Sequence, residues 1–297
     1  MTLLAVPNVS EGRDRSTVAA IGAAFASHGV RLLDTHSDAD HHRTVFTLAG
    51  PPVSLAEALL EGARAAVEGI DVIRTGASGG DRSEIGQHPH VGAVDVVPVV
   101  YLEESTRGAA CAEALVLADR IGEELGVPVF LYGALAGGRT RAELRRGGTG
   151  RLRERMRLGE LHPDFGPCQP HPGAGATLVA AREPLVAFNV QLEPPARIED
   201  ARRIAALIRE AGAEGLPGLR AIGVELGGAV AQVSTNVERP LEVPLAAVVE
   251  AVGRHADVAS AELVGLAPRA AFDGFPLDVP LPGFDPERHL IENALGC

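Results

Sequence analysis

Two strand-like stretches, residues 221–226 and 229–236, are separated by only Gly227 and Gly228. A parallel crossover needs a dozen or more residues, so this pair can return on itself only as a near-hairpin. Elsewhere extended and helical patterns alternate. Short apolar runs at 3–7, 30–35, 43–49, 94–102, 127–131, 177–181, 185–192 and 260–264 read as strands. Helical stretches fall between them at 10–28, 52–69, 105–125, 140–159, 198–210 and 245–255. In 52–69 the apolar positions Leu55, Leu59, Ala63 and Ala66 repeat on one face. Ser10 is placed to cap the first helix, and 36–42 reads as a polar loop. Alternation with such brief connections predicts an α+β fold with mixed or antiparallel sheets and helices packed on one face. The two halves share a similar element order without a sequence repeat, and Pro194-Pro195 reads as a junction between them.

The 297 residues, 46% hydrophobic, can fill one large core or two moderate ones. A net charge of −12 argues against a general nucleic-acid binder while leaving room for a local basic pocket. All 27 basic residues are arginines, so no lysine nucleophile or Schiff base is available within the chain. The three cysteines have neither metal-type nor framework spacing. No apolar run approaches the length of a membrane span. The N-terminus reads as a first strand and not a signal peptide, so the expected location is cytoplasmic.

Four constellations could carry chemistry. Asp34-Thr35-His36-Ser37-Asp38-Ala39-Asp40-His41-His42-Arg43 reads as a metal site, a polar pocket wall or a solvated loop. Gly86-Gln87-His88-Pro89-His90 precedes a strand, so its histidines fall at a sheet end, where imidazole serves as a general base. The Pro- and Gly-rich stretch 163–175 suits a fixed loop whose backbone approaches a flat ligand. Gly76-Ala77-Ser78-Gly79-Gly80 fits a nucleophile elbow in letters only, because loop residues follow where a helix would have to start. The arginine face at Arg141, Arg145 and Arg155 reads as solvated.

The motifs Val6-Pro7-Asn8-Val9-Ser10-Glu11-Gly12, His88-Pro89 with Gly92-Ala93-Val94-Asp95, Pro163-Asp164-Phe165-Gly166-Pro167 and Gln232-Val233-Ser234-Thr235-Asn236 occur in order along nearly the whole chain. In them the chain resembles the glutamate formimidoyltransferase family, which includes the transferase half of formimidoyltransferase-cyclodeaminase. The resemblance implies two ferredoxin-like subdomains, here residues 1–178 and 179–297, with folate between them, and a homodimer. It implies transfer of a formimidoyl group from N-formimidoyl-L-glutamate to tetrahydrofolate as co-substrate; that chemistry requires no metal, and charge and apolar run length argue against nucleic acid or membrane as partner. The family's catalytic histidine falls on His88, and an assisting aspartate of some members falls on His36. The folate-binding loop falls on Gly166, Pro167, Cys168, Gln169, Pro170, His171, Pro172, Gly173, Ala174 and Gly175.

The chemistry is consistent with these positions. His88 would take the proton from folate N5 and return it to the departing glutamate nitrogen. Asp38 or Asp40 could pair with the amidinium, Arg43 could fork onto a carboxylate, and His42 and His90 complete the expected substrate-binding set. Two departures touch one segment: family members usually read His-Pro-Arg where this chain has His88-Pro89-His90, and residues 75–84 look like an insertion. They leave open a same-chemistry enzyme with another donor or acceptor amine, such as formimidoylglycine, or a non-catalytic folate-binding homologue.

Overall fold

The computed structural model describes residues 1–72 and 90–296. His88 and the segment 75–84 therefore lie outside the described residues. The chain forms two compact units, Met1–Glu183 and Pro184–Cys297.

In the first unit, β1 (Leu3–Ala5) and β2 (Asn8–Val9) form one line interrupted at Pro7. Proline has no N–H for the ladder, but its carbonyl still accepts from Phe46 N at 3.0 Å, which keeps the line in place. Helix α1 (Arg15–Phe25) follows, then β3 (Arg31–Asp38), β4 (Arg43–Gly50), α2 (Ser54–Gly69) and β5 (Val94–Val100). These make a βαββαβ path with strand order β3-β4-β1/β2-β5, the ferredoxin-like arrangement. An extension adds α3 (Arg107–Leu125), β6 (Val129–Leu131), α4 (Arg141–Arg145), α5 (Gly148–Arg157) and β7 (Thr177–Arg182). β7 pairs with β5 and β6, both in parallel, so the sheet is mixed as expected.

Helices α1, α2 and α3 cover one sheet face. Phe25 and Phe46 meet there with ring centroids 5.2 Å apart, and Gly62 of α2 leaves the space that Phe25 fills. Burying each ring completely contributes about 1.5–3 kcal/mol. Glu113 of α3 reaches α2, accepting from Val53 N at 2.6 Å and Ala56 N at 3.2 Å. It caps a helix whose preceding residue, Val53, has a φ of 70° that branched side chains rarely adopt. The second sheet face is covered as well: Leu144, Leu152 and Met156 of α4 and α5 pack on Val96, Phe130 and Leu178.

Local expectations shift at three points. Ser10 does not cap α1; its Oγ donates to Gly92 O at 2.8 Å. Asp14 is the cap, accepting from Ser16 N at 2.9 Å; the hydroxyls of Ser16 and Thr17, donating to it at 2.6 and 2.7 Å, together with the backbone bonds bring its carboxyl down to about 2. Residues 36–38 are strand, not loop, with Ser37 Oγ and Thr44 Oγ1 bonded across it at 2.9 Å. The stretch 140–159 is broken into α4 and α5 because Gly147 and Gly148 take φ values of 80° and 64°.

The second unit runs β8 (Val186–Leu192), α6 (Ile198–Ile208), β9 (Leu219–Leu226), β10 (Val230–Val237), α7 (Leu245–Gly253) and β11 (Val258–Val264). Its order, β11-β8-β10-β9, is antiparallel throughout. β9 and β10 form the expected hairpin, with Gly228 turning at a φ of 76°. Ala201, Ile204, Ala205 and Ile208 form the buried stripe of α6. Gly223 lets the α6 backbone sit against β9. Pro194-Pro195 lies within this unit, between β8 and α6.

Candidate active site

The β3–β4 hairpin builds one wall. Asp38 closes its turn: Oδ1 accepts from Asp40 N and His41 N, both at 2.8 Å. His42 then takes a φ of 47°, an uncommon left-handed conformation for a non-glycine residue. Gly12 fits against this corner where a Cβ would strike Asp38 O and the Arg43 backbone. The Gly12 N–H donates to His42 Nδ1 at 3.2 Å. Burial holds the His42 imidazole below its ordinary 6.5, with Glu11 opposing that shift. Because Nδ1 is already an acceptor, the ring is neutral, and its 3.5 Å approach to Glu11 is not an ion pair.

Asp95, 1% exposed, is the hub. Its Oδ1 accepts from Val91 N at 2.9 Å and from Arg145 Nε at 3.3 Å, while Oδ2 accepts a second Arg145 N–H. The carboxylate thus ties the residues entering β5 to α4. Arg43 lies close by and is brought down to about 10 by burial first, then by Arg145 and Arg141, against the pull of Asp95 and Asp38. Its guanidinium makes no hydrogen bond or ion pair with another described residue. Burial also lowers His90 from 6.5, opposed by Asp95 and reinforced by Arg43, Arg145 and His42. His90 Nδ1 is buried without a hydrogen-bond partner among the described residues. Three guanidiniums therefore converge where Asp95 and Asp38 supply the opposing charge that acts on Arg43. With one guanidinium unbonded, the arrangement is suited to a carboxylate ligand.

The loop 166–175 is fixed beside this cluster. His171 N donates to Gly175 O at 2.7 Å and Gly175 N to His171 O at 3.0 Å. The His171 ring accepts from Ala174 N at 2.9 Å. Ala93 N donates to Ala174 O and Ala176 N to Val91 O, at 2.9 and 3.0 Å. Gly92 is required at this crossing, because a Cβ would enter the carbonyls of Ala174 and Ala176.

Of the expected residues, the structure draws together Asp38, His42, Arg43 and His90, with Gly173, Ala174 and Gly175 against residues 91–93. His36 shares the strand face of Asp38 by alternation along β3. Asp40 is exposed on the turn, and Cys168 and Gln169 are exposed on the loop. The arginine-face reading is corrected at Arg145: it is largely buried and bonded to Asp95, because α4 packs its Leu144 turn onto the sheet. Asp95 went unassigned, although an aspartate inside the apolar run 94–100 is itself a sign of a paired buried charge. Among the described residues no group of three or more His, Cys, Asp or Glu side chains is arranged as a metal site.

Residues 2–182 match the profile of the formiminotransferase domain, N-terminal subdomain. The chain is 36% identical over 301 residues to the glutamate formimidoyltransferase of Streptococcus pyogenes serotype M1, covering 98% of this chain and 97% of that protein. It is 33% identical to the glutamate formimidoyltransferase of Thermoplasma acidophilum, covering 98% and 96%. It is 38% identical to the formimidoyltransferase-cyclodeaminase of Sus scrofa over 90% of this chain and 50% of that protein, so it spans about half of the bifunctional relative.

Proposed function

This chain belongs to the formiminotransferase family, and on that premise we propose that it transfers the formimidoyl group of N-formimidoyl-L-glutamate to N5 of tetrahydrofolate, releasing L-glutamate. The observation that carries the reading is near-complete two-way coverage with two proteins named glutamate formimidoyltransferase. The convergence of Arg43, Arg141 and Arg145 supports it, since the donor is a dicarboxylate.

The chemistry divides among the chain's residues. Arg43, unbonded among the described residues and held in a poorly hydrated position, forks onto a donor carboxylate. Asp38 lies on the same wall and offsets the amidinium charge, with its Oδ1 already holding the turn rigid. His88 takes the proton displaced when N5 bonds to the formimidoyl carbon, and returns it to the glutamate nitrogen as that C–N bond breaks. The loop 166–175 lines the folate, and its bonds to residues 91–93 keep both substrates in one frame. Such alignment alone lowers a two-substrate barrier by about 7–11 kcal/mol. The resemblance supports a homodimer.

The test is direct. Protein mixed with tetrahydrofolate and N-formimidoyl-L-glutamate should give 5-formimidoyltetrahydrofolate, followed by absorbance. Absence of product at high enzyme concentration would refute the reading. A second reading, the same chemistry with another donor, is favoured by one observation: His90 stands in the cluster held below its ordinary 6.5 by burial, with an Nδ1 that has no hydrogen-bond partner among the described residues. Formimidoylglycine outperforming formimidoylglutamate, with the preference reversed in His90→Arg, would select it.

A further inference from the structure

A cavity of about 690 Å³ opens between α5 and the loop, lined by Arg153, Met156, Arg157, Cys168, Gln169 and Pro170. The arginines of α5 differ from one another. Arg151 bonds Glu154 at 2.5 Å, and Arg155 donates to Glu143 O at 3.1 Å. Arg153 and Arg157, on the cavity side, neither hydrogen-bond nor ion-pair with another described residue. They stand one helical turn apart, a spacing at which like charges repel. Among the described residues no acidic side chain lines the cavity to offset them. Its far wall is firm, because His171 and Gly175 lock the loop.

We infer that this cavity holds a glutamyl dicarboxylate, one carboxylate on Arg153 and the other on Arg157. The inference rests on the proposed function, in which donor and folate both carry that group. Geometry favours the folate. The loop is bonded to residues 91–93 at its Ala174 end and lines the cavity at 168–170. A ligand that reacts at the Arg43 cluster can therefore lie along the loop with its glutamyl end in the cavity. Arg157 in the last turn of α5 would also favour the helix dipole. That bland role predicts a loss of stability without a loss of binding.

The experiment compares the wild type with Arg153→Ala/Arg157→Ala. It measures dissociation constants for tetrahydrofolate and for tetrahydropteroate, which lacks the glutamate, together with the KM of N-formimidoyl-L-glutamate. The tetrahydrofolate constant should rise about ten- to a hundredfold, as expected for losing charge-assisted bonds. Tetrahydropteroate binding and kcat at saturation should not change, and Arg153→Lys/Arg157→Lys should recover part of the loss. A rise confined to the donor KM would keep the dicarboxylate site and overturn its assignment to folate. All three constants within twofold of wild type, with or without a lower Tm, would overturn the inference. A wild type that makes no product yet loses tetrahydrofolate affinity on substitution would sink the function and keep the site.

Discussion

The two units follow the same βαββαβ path to the same strand order, yet charge is distributed differently over them. In the first, the sheet face opposite α1–α3 carries Asp95, bonded to Arg145, with Arg43, Arg141 and His90 around it. In the second, the face opposite α6 and α7 carries amides, hydroxyls and the Glu262 carboxylate. Asn189 donates to Glu262 at 2.9 Å and Ser260 to Gln191 at 3.1 Å, beside the fully buried Gln232. One topology thus closes both with and without a cationic cluster, so the fold itself does not demand one. Burying charge costs several kcal/mol per ion before pairing offsets it. A chain that keeps such a cluster in one copy of a fold and not in the other is using it for something besides folding.

Stability measurements can break this comparison. Arg145→Ala leaves Asp95, 1% exposed, with only the Val91 N–H among the described residues. The expected cost is about 3–5 kcal/mol in urea unfolding. A cost under about 1 kcal/mol would mean that water reaches Asp95 and the first unit's face is no more demanding than the second's. Asn189→Ala removes an amide that bonds one half-buried carboxylate and should cost about 1.5–3 kcal/mol, less than Arg145→Ala. A loss as large as that of Arg145→Ala would erase the contrast.

The smallest effect is a pH slope. His42 and His90 are both held below 6.5, mainly by burial. The unfolded chain therefore binds their protons first as pH falls. Their contribution is complete above 6.5 and is lost as pH drops from there through the folded values. Replacing both by Asn should flatten stability against pH in that window. An unchanged slope would show that neither ring is held neutral by the fold.

Much of the fold was legible because period and connection length are local. The three residues between β9 and β10 forced a hairpin, and the apolar repeat of α2 read directly as a helix. The misreadings have a common cause. Ser10 has the chemistry of a helix cap, but its partner, Gly92 O, is 82 residues away. Arg145 sits on a polar-looking helix face, and nothing within the helix announces Asp95 across 50 residues. Residues 36–38 looked like loop because charged side chains suit an exposed turn, whereas β4 recruits them as an edge strand. The candidate site was legible as separate motifs. Their convergence on Asp95 was not, since it is made by tertiary hydrogen bonds.

The central claim is that formimidoyl transfer runs through the histidine two positions before His90. The direct test is the rate of 5-formimidoyltetrahydrofolate formation by His88→Ala against wild type, at saturating substrates and with matched folding. The account predicts a fall of about a hundred- to ten-thousandfold in kcat with tetrahydrofolate still bound. A variant that keeps the wild-type rate would contradict it.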